Sequence, residues 1–433
     1  MFRFTDLIIF RMTRDCNLNC KYCFMQNKGD FKGELIDFDL FKKIIDRIAE
    51  QRYINNLEER QLHLVLHGGE VLLLGVERLK NMLEYISSTF NNKNICYDIA
   101  CQTNATLLDD NICQLFNKFN VNIGLSFDGV DGSNSSRTDI KQEIFENKFQ
   151  LLQKNKNKYG FLIVANKTNI HNMQKTQEYL ENLGVGNDSD ETAVIVKGYK
   201  INYAEDMINP GKNSEIEISG EEMFEKVWKP ELKRFLSRGK TIEYHTKELL
   251  EKSIIDILTN HNIRAISGCG TKWCGAGIHM IAIEPDGEMD YCDRYSKKFP
   301  DVYVQHALDY DFLGLYQLKK VVEYNKMKKS IYEKYNCDIC VADYICDHGC
   351  ESFYYSKYGK YGIETNIVCN QHILFYNYIR SHIDQFVLAY LNGKIMSREI
   401  IFNIKKEFYD YFLEKGIRLN LINNEILVEK INE

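Results

Sequence analysis

Three thiols in one short loop restrict what this chain of 433 residues can become more than any other feature. Cys16, Cys20 and Cys23, separated by three and then two residues, follow directly on a short apolar run, Leu7-Ile8-Ile9-Phe10. Three thiolates on a tight loop can hold three corners of a cubane [4Fe–4S] cluster and leave the fourth iron open. An open iron suits chemistry, whereas a fully ligated one suits storage or electron transfer. A structural zinc site is the alternative, but zinc closes with four protein ligands and favours C-x2-C pairs.

Composition narrows the setting. The length allows two or three domains, or one large domain with an extension, and 44% apolar residues can build a sizeable core. A net charge of −6, with Lys and Arg scattered among Asp and Glu, leaves no basic footprint for nucleic acid. Fourteen cysteines would suit a secreted disulfide protein, yet Leu7–Phe10 is too short for a signal-peptide core. No run approaches the roughly eighteen apolar residues of a membrane span. The expectation is a chain of the reducing cytoplasm whose thiols bind metal, with neither membrane nor nucleic acid as partner.

Up to about Val196, short apolar runs alternate with amphipathic stretches. Leu7–Arg11 reads as a strand. Asp37 offers an N-cap to a helix that puts Leu40, Phe41, Ile44, Ile45 and Ile48 on one stripe. Leu62–Leu66 is a second strand, ending in His67-Gly68-Gly69-Glu70, and a helix near Val76–Thr89 leads to a third, Ile95–Cys101, closed by Gln102-Thr103-Asn104. After a helix at Leu107–Phe119, a fourth strand, Val121–Phe127, ends in Ser126-Phe127-Asp128-Gly129. Further strands are expected at Phe161–Ala165 and Ala193–Val196, with helices near Ile140–Lys154 and Asn172–Leu183. Such βα alternation implies an α/β fold of parallel strands with right-handed crossovers, in an open sheet or a barrel. Polar and glycine residues gather at the strand ends, where α/β folds build their sites.

Beyond residue 204 the chain turns polar, and Asn209-Pro210-Gly211 signals a turn. Ser219 and Glu222 form a capping box ahead of a helix to about Leu236, which Pro230 is expected to kink or split. Another helix reads at Leu249–Leu258. Cysteine then returns at Cys269, Cys274, Cys292, Cys337, Cys340, Cys346, Cys350 and Cys369, with a hairpin turn, Pro285-Asp286-Gly287, between Met280–Glu284 and Met289–Cys292. Eight thiols are enough for two complete clusters, or for two zinc sites. Cys96, Cys101 and Cys113 lie in strand or helix patterns and read as small buried residues.

With Tyr22 inside the first loop and Gly68-Gly69-Glu70 after the second strand, the chain resembles the radical S-adenosylmethionine (SAM) enzymes. Cys274, Gly287 and Cys292, followed by the C-x2-C-x5-C-x3-C run of Cys337 to Cys350 and by Cys369, resemble the SPASM extension of that family. The resemblance implies a partial (β/α)6 TIM-type barrel over residues 1–204 and a bridging helical segment over 205–262. It further implies a SPASM domain over 263–375 and a helical tail over 376–433. It implies three [4Fe–4S] clusters: one on Cys16, Cys20 and Cys23 that SAM completes, one on Cys269, Cys274, Cys292 and Cys350, and one on Cys337, Cys340, Cys346 and Cys369. Gly68 and Gly69 would let backbone approach the methionyl group, and Glu70 would accept from its ammonium. Val71 stands where the family usually has Pro. By the same resemblance Tyr22, Ser126, Asp128 and Arg137 bind SAM. Gln102-Thr103-Asn104 would face SAM or substrate, or form a simple turn. In anaerobic sulfatase maturases an Asp after the matching cysteine is the base that deprotonates the substrate, which makes Asp293 the candidate here; otherwise it pairs with Arg294 or caps a turn.

The family's chemistry implies a peptide or protein substrate and an electron donor such as flavodoxin or ferredoxin. It implies hydrogen abstraction from a residue of a ribosomally made peptide, giving an oxidised or cross-linked product. The alternative is formylglycine formation in a sulfatase. No leader-binding module fits before Cys16, which leaves three expectations open: a separate leader-binding protein as partner, recognition by the polar bridge or the tail, or a substrate with no leader. A non-catalytic electron carrier would use the same thiols but would not need Gly68, Gly69 and Glu70.

Overall fold

The computed structural model describes residues 4–23, 25, 33–137, 141–184, 196–203, 216–238, 243–258, 276–277, 279–294, 303–312, 332–346, 367–391, 405–414, 417–422 and 425–430. Six strands run parallel and side by side in chain order: β1 (Leu7–Thr13), β2 (Leu62–Gly68), β3 (Tyr97–Thr103), β4 (Asn122–Ser126), β5 (Tyr159–Ala165) and β6 (Val196–Tyr203). Between them come α1 (Phe38–Ile54), α2 (Val76–Asn91), α3 (Asp110–Lys118), α4 (Gln142–Lys154) and α5 (Met173–Asn182). The expected α/β succession is therefore present. Strand three runs two residues later than its apolar pattern, and strand six lies at Val196–Tyr203, where the reading had ended.

Local chemistry starts the helices. Asp37 accepts from the backbone N–H groups of Asp39 and Leu40 at 3.0 and 2.9 Å, and Asp109 from that of Ile112 at 2.8 Å. The helices bury one face of the sheet. Phe10 meets Phe41 of α1 at 5.4 Å between centroids, and Phe127 meets Phe145 and Phe149 of α4 at 5.5 and 5.3 Å. The opposite face behaves differently. Along β2, Leu62, Leu64 and Leu66 are buried while His63, Val65 and His67 alternate with them as exposed or half-buried. β4 and β5 alternate in the same way. A parallel sheet is ordinarily covered on both sides, so this half-open inner face is where a site can be lined.

The cysteine-rich segment extends this sheet. β7 (Met280–Ile283) pairs parallel with β1, and β8 (Glu288–Asp290) and β9 (Tyr303–His306) follow antiparallel. The expected hairpin turn joins β7 to β8, with Gly287 at φ +88° and its N–H donating to Glu284 O at 2.9 Å.

Three expectations are corrected. Ser219 and Glu222 do form the capping box of α6 (Gly220–Met223), but Pro230 does not split the helix. A π turn, Phe224–Trp228, carries α6 into α7 (Lys229–Arg238). Its wider hydrogen-bond spacing accommodates a residue that has no N–H and crowds the preceding turn. The tail is helical at Ile367–Ser381, Ile383–Leu391 and Lys406–Glu414, but it ends in an antiparallel hairpin, β10 (Ile417–Ile422) with β11 (Glu425–Lys430). Ile417, Leu419 and Leu421 alternate there with Arg418 and Asn420, a period of two that a strand uses, and Ile426-Leu427-Val428 is a short apolar run with two β-branched residues. Finally, Cys101 and Cys113 are buried as expected, whereas Cys96 is exposed just before β3.

Candidate active site

The thiol loop rests on two strand ends stitched backbone to backbone. Gly69 N–H donates to Thr13 O at 2.8 Å and Glu70 N–H to Asp15 O at 2.7 Å. There is no room for a side chain at this crossing. A Cβ on Gly69 would stand 1.9 Å from Asp15 O, and one on Gly68, at φ +134°, 2.3 Å from Thr13 O. The glycine pair expected to admit a ligand is thus required first by the base of the thiol loop itself.

Above that base lie Cys16, Cys20 and Cys23, with Cys20 buried and the other two partly exposed. Burial pushes the Cys20 thiol up to about 12; Arg137 opposes this, and Cys23, Asp128 and Cys16 add to it through their charges. The three thiols therefore sense one another, a repulsion that a bound cationic cluster would relieve by holding them as thiolates. Leu18 N–H points at Cys16 Sγ at 3.4 Å and Asn104 Nδ2 at 3.9 Å. Such N–H groups around a sulfur favour the thiolate that a cluster requires. The donor set fits the group.

Tyr22, Asp128 and Arg137 converge as one cluster just past the end of β4, with Asp128 and Arg137 buried and Tyr22 half-buried. Tyr22 donates its hydroxyl hydrogen to Asp128 Oδ2, and Arg137 Nη1 donates to Tyr22 Oη at 3.0 Å. Val164 N–H donates to Asp128 Oδ1 at 3.0 Å, and Lys21 N–H to Ser136 O at 2.8 Å, so the loop is pinned across β4 and β5. Burial raises the Asp128 carboxyl against the pull of Arg137, and burial likewise holds the Tyr22 phenol well above its ordinary value. Ser126 lies on the half-open face, where its Oγ accepts from Gln102 Nε2 at 2.7 Å.

Glu70 is fully buried. Its Oε1 accepts from Thr103 Oγ1 at 2.7 Å and Leu72 N–H at 3.0 Å, and its Oε2 from Asn104 N–H at 2.8 Å. Three of about four lone-pair positions are taken by protein. Glu70 ties the end of β2 to the turn after β3, and Asn104 passes that tie on, through Nδ2, to Asn17 Oδ1 of the thiol loop at 2.8 Å.

The turn after β8 brings the Asp293 backbone against β1. Arg11 of β1, fully buried, donates to Glu284, to Asp290 Oδ2 at 2.9 Å, and to the carbonyls of Cys292 (3.4 Å) and Asp293. Arg14 Nη2 lies 2.6 Å from Glu284 Oε2. Burial would raise Glu284, but Arg11 and Arg14 hold it below its ordinary value; burial pushes the neighbouring Asp290 up to about 7. His67, the Cα partner of Arg11 on β2, has its imidazole pKa lowered by burial and Arg11 against the nearby Asp293. Arg11, Arg14 and His67 were not singled out in the sequence. The legible signal was a cation, Arg11, inside an apolar strand pattern.

Cys337 and Cys340 share one turn, Cys340 N–H donating to Cys337 O at 3.1 Å, and Cys369 lies 29 residues further on in the helix Ile367–Ser381. Burial raises the Cys337 thiol to about 11, with Cys369, Asp343 and Cys340 contributing through their charges. Cys346 is buried, its N–H donating to Ala342 O at 2.9 Å. Cys292 is buried too, while Cys269, Cys274 and Cys350 lie outside the described residues.

Comparison with known proteins follows this geometry. Residues 7–145 match the family model of the 4Fe-4S single cluster domain. An uncharacterized protein of Methanocaldococcus jannaschii is 34% identical over 29% of this chain, which spans only 39% of that relative's length. A cysteine-type anaerobic sulfatase-maturating enzyme of Clostridium perfringens is 23% identical over 86% of this chain and 95% of its own length. Among solved structures, native anSMEcpe with bound AdoMet aligns with a TM-score of 0.72 at 20% identity, over 90% of this chain and 99% of that one. SuiB of Streptococcus suis bound to precursor peptide SuiA gives 0.56 at 14% identity, over 84% and 76%. At these identities the two structures establish a shared fold. No described helix is long and apolar enough to cross a membrane.

Proposed function

The chain has the fold of the radical SAM enzymes that carry a SPASM extension, and from that premise we propose that it is a maturase that oxidises a side chain of a peptide or protein. One observation supports this reading above the others. The three-thiol loop and the Tyr22–Asp128–Arg137 cluster meet at the strand ends, and Arg11 of β1, five residues before Cys16, holds the Cys292 and Asp293 carbonyls. An electron carrier has no need of a hydrogen-bonded Tyr–Asp–Arg cluster built against the open-iron loop.

A [4Fe–4S] cluster with SAM, when bound there, would supply one-electron chemistry able to remove a hydrogen atom from a substrate side chain. The chain's own residues have separate tasks. Cys16, Cys20 and Cys23 would hold that cluster, with Leu18 N–H and the Asn104 amide beside the Cys16 sulfur. Tyr22, Ser126, Asp128 and Arg137, with Gly68, Gly69 and Glu70, would frame SAM. Asp293 would accept, at its carboxylate, the S–H or O–H proton of the substrate side chain. Cys269, Cys274, Cys292 and Cys350 would hold one auxiliary cluster and Cys337, Cys340, Cys346 and Cys369 the other. Such clusters have no open iron, and their chemistry is that of an electron acceptor.

Two products fit this reading. A cross-link in a ribosomally made peptide is supported by the peptide-bound SuiB fold, and oxidation of Cys or Ser to formylglycine by the near full-length match to a sulfatase-maturating enzyme. Anaerobically reconstituted, dithionite-reduced protein is expected to convert SAM to 5′-deoxyadenosine. If none forms, the catalytic reading fails and the carrier reading replaces it. With a Cys- or Ser-bearing peptide, a formylglycine product reacts with a hydrazide and a thioether does not. Asp293→Asn is expected to keep 5′-deoxyadenosine formation while modified peptide falls about 10²-fold, the lower end of a general base's contribution. Unchanged modification would remove Asp293 from the reaction.

A further inference from the structure

The β1–β7 ladder is short. It pairs Leu7 with Met280 through to Phe10 with Ile283 and goes no further. The next residues on the two strands are Arg11 and Glu284, and a side-chain fork takes over where the backbone ladder stops. One guanidinium gathers acceptors from four residues in sequence order along the β7–β8 hairpin and its following turn: Glu284, Asp290, Cys292 and Asp293. The last two contacts are to backbone carbonyls, so they fix the path of the turn rather than the side chains on it. Arg14, two residues before Cys16, grips the second oxygen of Glu284 at 2.6 Å.

Arg11, on the strand that leads into the Cys16 loop, and Arg14, just past its end, thus hold the hairpin that leads into Cys292. A leucine at position 11 would fill the space without the desolvation penalty that a buried guanidinium carries unless it is matched. The charge and the planar fork bring what a leucine lacks, a fixed set of directions. We propose that Arg11 is a positioning residue that locks the Cys292-Asp293 turn onto β1 and so sets the aim of both side chains on that turn. This rests on the function proposed above, in which Cys292 is a cluster ligand and Asp293 a base.

The test uses the anaerobically reconstituted full chain and its Arg11→Lys and Arg11→Met variants. Hydrogen exchange by mass spectrometry is expected to speed up at least tenfold in residues 280–294 in both variants, because neither replacement can reach four acceptors. The segment around Cys16 to Cys23 should exchange as in the wild type. A redox titration followed by electron paramagnetic resonance separates charge from fork. Arg11→Met lowers the potential of the auxiliary centre, because a cation that stabilised its reduced form is gone, while Arg11→Lys leaves it near the wild-type value. Unchanged exchange in residues 280–294, or a rise spread evenly over the chain, would overturn the proposal and make Arg11 ordinary core. If the wild type shows no auxiliary signal, it is the functional reading that fails, and the exchange arm still decides the role of Arg11.

Discussion

At Gly69 one methyl group separates a thiol loop that closes from one that does not. The obstacle to a side chain is the carbonyl of Asp15, one residue before Cys16, and backbone cannot swing aside as a flexible side chain can. Gly69→Ala is therefore expected to displace the loop and lower 5′-deoxyadenosine formation about 10²-fold, the usual penalty for a misplacement near 1 Å. An active variant with full iron content would show that the close approach is dispensable. Glu70 illustrates the same economy. Its three protein donors make it a brace between β2 and the turn after β3, a role that a short Gly-Gly-Glu motif does not reveal on its own. Val71, in place of the family's usual Pro, is fully buried at the start of a short 3-10 turn and takes up its place by packing.

Elements differ in how much local sequence decides. α1 and α3 start at aspartate caps and follow an apolar stripe, and both were readable. The Pro230 helix was readable only in part, because propensity names the conflict and not its resolution by a π turn. Helix Ile367–Ser381 holds Cys369 near enough for its charge to act on the Cys337 thiol, an approach that spacing alone does not announce. Cys369→Ala is expected to lower bound iron from about twelve to about eight per chain while SAM cleavage persists within a few-fold, since three cubanes carry four irons each. Total iron near four in the wild type would instead mean that the auxiliary thiols hold something else.

On the scale of the whole molecule, the two thiol regions are joined through one nine-stranded sheet, with β1 as the shared strand. β1 carries the Cys16 loop at its end, pairs with β2 and its Gly68-Gly69-Glu70 on one side, and holds β7 on the other. That arrangement explains why Asp293, far away in sequence, arrives beside His67 and Arg11. Sequence by itself determined the βα order, the loop of three thiols, the glycine strand end and the eight later thiols, because each depends on periodicity or spacing within a short stretch. It also marked Tyr22, Asp128 and Arg137, though only as resembling a family's pattern. Tertiary structure alone decided that these three close into one hydrogen-bonded cluster and that Glu70 faces protein donors. It also decided that a buried arginine on β1 clamps the Cys292-Asp293 turn. Those facts depend on which strand neighbours which, and strand adjacency between residues more than 270 positions apart leaves no periodic trace in the chain.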